Sequence, residues 1–228
     1  MNENLGLPKY ASLLVVCAHP DDESFGLGAI LHAFANEGTK LAVLCFTHGE
    51  ASTLHGVDGN LNTIRAAELA AASKHLGVHS VELLGYPDGA LAAQPRNELV
   101  DHILRTARDV DADGLRVFDD GGITGHPDHQ AATDTAVDAA DALDLPVLAW
   151  AITAHVASAL NDEFGTTFVG RERADCNIVL EVDRAAQLEA IDCHASQSRT
   201  NPVMRRRLEL QQQHEWLRVL RPGSAGRA

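Results

Sequence analysis

The stretch LLVVCAHPDDESFGLGAILHAFANEG, residues 13–38, decides how this chain folds. Its first six residues form an apolar run that reads as a strand buried on both faces. Its last twelve carry a helical pattern that stops at Gly38, the residue type suited to a helix C-terminus. A strand feeding directly into a helix is the building unit of a parallel sheet. The same alternation recurs outward from this segment. Strand-like runs lie at LAVLCFT (41–47), SVELLGY (80–86), GLRVFDD (114–120), VLAWAITA (147–154) and CNIVLEV (176–182), and a helical pattern over 62–77 ends at Gly77. The expected fold is α/β, a single domain over 1–220 with a mostly parallel sheet and helices on both faces. Residues 147–182 read as shorter and partly antiparallel. The tail RPGSAGRA (221–228) has too little apolar content to pack and is expected to be disordered.

With 228 residues, 45% of them hydrophobic, the chain can bury one substantial core. Its formal charge of −14 argues against nucleic acid and anionic membrane surfaces as main partners, because their electrostatic footprint is basic. Cys17, Cys45, Cys176 and Cys193 are scattered and read as small buried hydrophobes. No secretory pattern or membrane-length apolar run occurs, so a cytoplasmic protein is expected. The pattern leaves a homo-oligomer open.

In open α/β sheets ligands bind on the loops that leave the carboxyl ends of the strands. Four unusual segments fall there: AHPDDE, THGEAS, GYPDGAL and DDGGITGHPDH. His19 and Asp22 give an imidazole and a carboxylate within one turn, with Asp21 beside them, a pairing that suits a divalent metal. Taken alone, the segment also fits an Asp N-cap for the helix starting near Ser24. The second cluster turns the reading toward metal. His126 and His129 stand three residues apart at the start of another helical pattern, and His19, Asp22 and His129 make three ligands that leave positions open for water and substrate. A phosphate cradle at SFGLGAIL is disfavoured, since the glycines lack the G-x-G-x-x-G spacing and acidic residues occupy the helix start. An HxHxDH metal site fails because Asp21 stands at the second histidine.

AHPDDESFGLGAIL and TGHPDH resemble the two signature motifs of the PIG-L/LmbE-like family of zinc-dependent N-deacetylases. The resemblance extends through THGEAS (47–52), RAAELAAASKHLGV (65–78), LGYPDGAL (84–91) and CHASQ (193–197). It implies a Rossmann-like fold with a metal at the C-terminal edge of the sheet, and removal of an acetyl group from an N-acetylated amino sugar or sugar conjugate. By the same resemblance His19, Asp22 and His129 match the zinc ligands, and Asp21 the general base. His126 matches the residue that polarises the carbonyl and stabilises the oxyanion, with Asp128 beside it as its orienting partner. Glu50, Arg65 and Asp88 match positions that approach substrate hydroxyls or support the pocket. Iron(II) and cobalt(II) tolerate the same ligands as zinc.

Some sugar-thiol deacetylases of that family carry a tyrosine two residues before the first histidine of HPDH. Thr124 stands there in this chain, too short for the same reach. Specificity is thereby open among mycothiol-type, bacillithiol-type and antibiotic-pathway-type substrates. His194 either enters the site or terminates a helix. His48 and His55 flank the expected mouth without an assigned role, and His32, His75, His102 and His214 read as surface or helix-end residues. Two rival readings stand beside the deacetylase: a metal-dependent hydrolase of another amide or an ester, and a metal- or ligand-binding homologue without turnover.

Overall fold

The computed structural model describes residues 6–54 and 57–223. The opening run forms β1 (Ser12–Cys17), buried along its whole length. The chain then makes a single turn of helix, α1 (Asp22–Phe25), before α2 (Gly28–Asn36). There follow β2 (Lys40–Thr47), α3 (Leu61–His75), β3 (Val78–Tyr86), α4 (Arg96–Asp109) and β4 (Gly114–Phe118). A short turn α5 (Gly122–Gly125) leads to α6 (Pro127–Leu143), β5 (Val147–Ala151) and α7 (Ala154–Phe164). The remainder is β6 (Ile178–Glu181), α8 (Ala185–Cys193), α9 (Ala195–Ser198), α10 (Pro202–Gln211) and β7 (His214–Arg221).

The seven strands form one sheet in the order β3-β2-β1-β4-β5-β7-β6, the first five parallel. Successive side chains of a strand point to opposite faces. Leu13, Val15 and Cys17 accordingly pack with Phe34 of α2, Leu69 of α3 and Ala190 of α8, whereas Leu14 and Val16 pack with Ile103 of α4 and Ala136 of α6. Helices therefore cover both faces, as expected. The chain order reverses between β1 and β4, which places the ligand crevice outside the carboxyl ends of those two strands.

Two features differ from the sequence expectation. β5 continues the parallel series against β4, and antiparallel pairing enters with β7, which pairs with both β5 and β6 and was not anticipated. Its buried register holds Glu215 beside Leu217, so the alternation is hidden by a charge. Arg184 at 2.5 Å and the Trp150 indole N–H at 2.6 Å satisfy that carboxylate. β7 also runs through Arg221, opposite Val147, one residue beyond the boundary expected at 220. Residues 224–228 of the expected tail lie outside the described residues. Among the described residues no helix is long and apolar enough to cross a membrane.

Candidate functional site

Where β1 ends, the HPDD segment folds back on itself. Asp22 Oδ2 accepts the backbone N–H groups of Ala18 and His19, each at 3.0 Å, which fixes the turn and leaves Oδ1 facing the crevice. Asp21 occupies the N-cap position of α1 with φ 104°, yet its side chain caps nothing. The capping alternative therefore fails, and the carboxylate instead meets Arg65 Nη2 at 3.0 Å. From the other side of the switch point, His126 is the N-cap of α6 and His129 lies in its first turn.

These elements bring His19, Asp22 and His129 together as expected. Their ligand atoms lie within 4.8 Å of one another. His19 Nδ1 is 3.1 Å from His129 Nε2, which is 3.2 Å from Asp22 Oδ1. His129 Nδ1 lies 3.0 Å from the Gly122 carbonyl, so it carries the proton and turns the Nε2 lone pair inward. His19 Nε2 points the other way, 3.0 Å from Asp88 Oδ1 and 3.5 Å from Asp128 Oδ2. Two imidazole nitrogens facing each other beside a carboxylate call for a cation between them. Burial opposes a charged His19, but Asp128, Asp88 and Asp22 outweigh it and hold its imidazolium up to about 10. Burial would raise the Asp22 carboxyl, yet His129 and His19 hold it well below the usual carboxylate range. The donor set thus fits a divalent ion with nitrogen and oxygen ligands, with His129 braced through its second nitrogen and His19 Nε2 facing the Asp88 and Asp128 carboxylates.

The other expected residues divide differently. Burial, reinforced by the neighbouring Asp22 charge and opposed by Arg65, raises the Asp21 carboxyl to about 6. His126 Nδ1 accepts the Asp128 backbone N–H at 3.2 Å, so its Nε2 carries the proton. Burial, together with His129 and His19, lowers its pKa. His126 therefore presents a neutral N–H donor to the cavity. The Asp128 carboxylate does not orient His126; it accepts the N–H groups of Gly89 (2.8 Å) and Leu91 (3.0 Å), tying the loop after β3 to α6. Asp88 accepts the Ala51 N–H and braces His19, while Glu50 accepts the Asp88 N–H at 3.0 Å. Arg65 is buried and donates to the carbonyls of Gly49 and Pro20. Asp88 and Arg65 reach the cavity wall, and Glu50 stands behind it.

The cavity measures about 640 Å³. Its wall takes in Thr124, as the sequence placed it, and also Ser52, Phe118, Trp150, Gln197 and Met204. The Phe118 ring stands edge-on to His129, 4.9 Å between centroids. Nothing in the sequence marked Phe118, Trp150 or Met204, whose patterns are those of ordinary core residues. His194 is fully buried behind the loop, 2.7 Å from Glu23 Oε1, and both ends of the alternative posed for it are answered: it joins α8 to α9 and stays out of the cavity. His48 turns to the Asn62 carbonyl at 3.0 Å, and His55 lies outside the described residues. Cys17, Cys45 and Cys193 are free thiols.

A mostly parallel α/β domain with two histidines and an aspartate gathered on its switch-point loops belongs to the class of Rossmann-like proteins, here with a group able to hold a metal ion beside a ligand cavity. Within that class the chain belongs to the GlcNAc-PI de-N-acetylase (PIG-L) family, whose model matches residues 14–140. It is 35% identical over 154 residues to the 1D-myo-inositol 2-acetamido-2-deoxy-alpha-D-glucopyranoside deacetylase of Streptomyces avermitilis, a match covering 57% of this chain and 52% of the relative. The chain thus spans about half the length of the curated relatives it matches. Two solved structures share the fold over nearly the whole chain. They are the teicoplanin deacetylase Orf2 (TM-score 0.70, 20% identity, 94% of this chain and 100% of that one) and the 4-carboxy-2-hydroxymuconate hydratase of Pseudomonas putida (TM-score 0.71, 17% identity, 95% and 99%). One fold here carries two chemistries, so activity has to be argued from the site.

Proposed function

We propose that this protein is a metal-dependent amidohydrolase that removes the acetyl group from an N-acetylated amino sugar or sugar conjugate of the N-acetylglucosamine type. One observation carries the reading: a carboxylate, Asp21, which belongs to no group able to hold the ion, stands on the same cavity as His19, Asp22 and His129, together with the imidazole N–H of His126, which lies outside that trio and in a second possible cation group with His19 and Asp128. A purely structural metal needs a closed shell and no spare base. The activity of the Streptomyces avermitilis relative, a deacetylase of an acetamido sugar, supports the same reaction.

His19, Asp22 and His129 would hold the ion, zinc by its preference for this donor set, with iron(II) or cobalt(II) as substitutes. When bound, the ion supplies Lewis acidity toward the amide carbonyl and acidifies water. Asp21 takes the proton of the attacking water, a task for which a carboxyl raised to about 6 is better matched than an ordinary one. Arg65 holds that carboxylate in place. His126 Nε2–H donates to the oxygen on which negative charge develops. Asp88 and Asp128 keep His19 oriented, and Glu50 supports Asp88. Ser52, Thr53, Thr124, Thr166 and Asn201 bring polar groups to the wall where sugar hydroxyls would lie. A small-molecule substrate fits the acidic chain, and the free thiols of Cys17, Cys45 and Cys193 fit a cytoplasmic setting.

The test is a panel of N-acetylglucosamine conjugates offered to the metal-loaded protein, with release of acetate and of primary amine as readouts. Stoichiometric release of both supports the reading. Turnover of esters or other amides alone would replace it with a different hydrolase, and metal binding without turnover would make the protein a binding homologue.

A further inference from the structure

The segment between β4 and α6 carries an unusual backbone. Ile123, a β-branched residue, adopts φ 62° and ψ −58°, the γ-turn conformation that is rare and strained. Such conformations persist only where the surroundings over-determine them, and they cluster where function uses them. The turn bears directly on the metal ligands, because the carbonyl of Gly122 is the partner of His129 Nδ1 at 3.0 Å.

What holds the turn comes from a distant part of the sequence. The Val169 N–H donates to the Ile123 carbonyl at 2.7 Å, and Thr167 Oγ1 donates to the Thr124 carbonyl at 2.9 Å. Arg171 anchors this strap at its far end. Its Nε donates to Asp119 Oδ2 at 2.6 Å, its Nη2 also pairs with Asp120, and its own N–H and carbonyl join Ile152 and Ala154. Asp119 is 1% exposed, and its carbonyl accepts the Gly122 N–H at 2.8 Å. The chain of contacts therefore runs from Arg171 through Asp119 to Gly122 and on to His129.

We infer that Arg171 is a positioning residue for the metal centre, clamping the strained 121–125 turn so that the Gly122 carbonyl holds His129 in its ligating tautomer and orientation. A lysine replaces it only in part, because one ammonium lacks the planar fork that spans both carboxylates. The inference rests on the reading of His129 as a metal ligand.

The experiment measures zinc affinity by chelator competition, the visible spectrum of the cobalt(II) form, and thermal unfolding of the metal-free protein, for the wild type, Arg171→Ala, Arg171→Lys and Arg221→Ala. Arg221 is a matched control: it bridges Asp141 and Asp144 at the opposite edge of the sheet. Removing a residue that braces a metal ligand costs about 10- to 100-fold in affinity. Arg171→Ala is expected to lose zinc affinity in that range and to change the cobalt spectrum, with Arg171→Lys intermediate and Arg221→Ala unchanged. Wild-type affinity and spectrum in Arg171→Ala would overturn the inference, as would an equal loss in Arg221→Ala, which would mean general loosening. Should Arg171→Ala not fold, wild-type zinc affinity in Arg171→Lys would overturn it. A wild type that binds neither metal would overturn the ligand assignment itself, before any variant is compared.

Discussion

The three consecutive carboxylates of AHPDDE do three different jobs, and each is testable at the level of one side chain. Asp22 faces the two histidines, so Asp22→Ala, like His19→Ala and His129→Ala, is expected to lose metal on dialysis; retention of wild-type metal by all three would refute the site. Asp21 is paired with Arg65 and lies outside the groups able to hold an ion. Asp21→Asn should keep its metal and lose about 10²- to 10⁴-fold in turnover, the usual weight of a general base. An Asn variant with the parental rate on a verified substrate would remove Asp21 from the chemistry. His126 has its Nδ1 committed to the Asp128 N–H, so its Nε2–H is the group on offer. His126→Ala should lower kcat on the order of 10²- to 10³-fold with KM and metal content little changed, as for loss of one oxyanion donor. A raised KM at unchanged kcat would make it a substrate-binding residue instead.

Glu23, the third carboxylate, acts on the scale of elements. It accepts the Asp21 N–H at 2.9 Å and meets His194 at 2.7 Å, both side chains fully buried, which ties α1 to the α8–α9 junction. Gln187 of α8 and Arg207 of α10 donate to the Phe25 carbonyl from the same side. The four-residue α1 is too short to hold its shape alone, and these C-terminal helices supply what it lacks. His194→Ala strands a buried carboxylate, for which breaking such a pair costs about 3–5 kcal/mol. The urea midpoint should fall accordingly, and an unchanged midpoint would show that the pair does not bear on stability.

For the molecule as a whole, the centre joins loops after β1 and β4, so a bound ion stabilises the folded chain and not the unfolded one. Zinc at 1,000 times its Kd is worth about 4 kcal/mol, and a chain of this size shifts by roughly 2–4 °C per kcal/mol. Chelation is therefore expected to lower Tm on the order of 10 °C. Coincident melting curves with and without chelator would mean that no ion is bound at this site.

The sequence by itself determined the parallel α/β framework, because strands buried on both faces read as continuous apolar runs and their helices end at Gly38 and Gly77, both with positive φ. It also picked out the trio His19, Asp22 and His129 that the fold gathers at one point, since His19 with Asp22 and His126 with His129 are local spacings on loops whose place in the fold is fixed by the strands before them. What only the tertiary structure decided involves partners far apart in the chain. The buried Glu215 of β7 reads as solvent-facing until Arg184 and Trp150 are seen beside it. Asp128 looks like a companion of its neighbour His126, yet its carboxylate binds Gly89 and Leu91. Glu50 and Asp88 read from the sequence as residues that either approach the substrate or support the pocket, and only the fold shows their oxygens on each other's loop. A carboxylate can satisfy any nearby donor, and which donor it meets is set by how loops from different strands pack at one edge of the sheet.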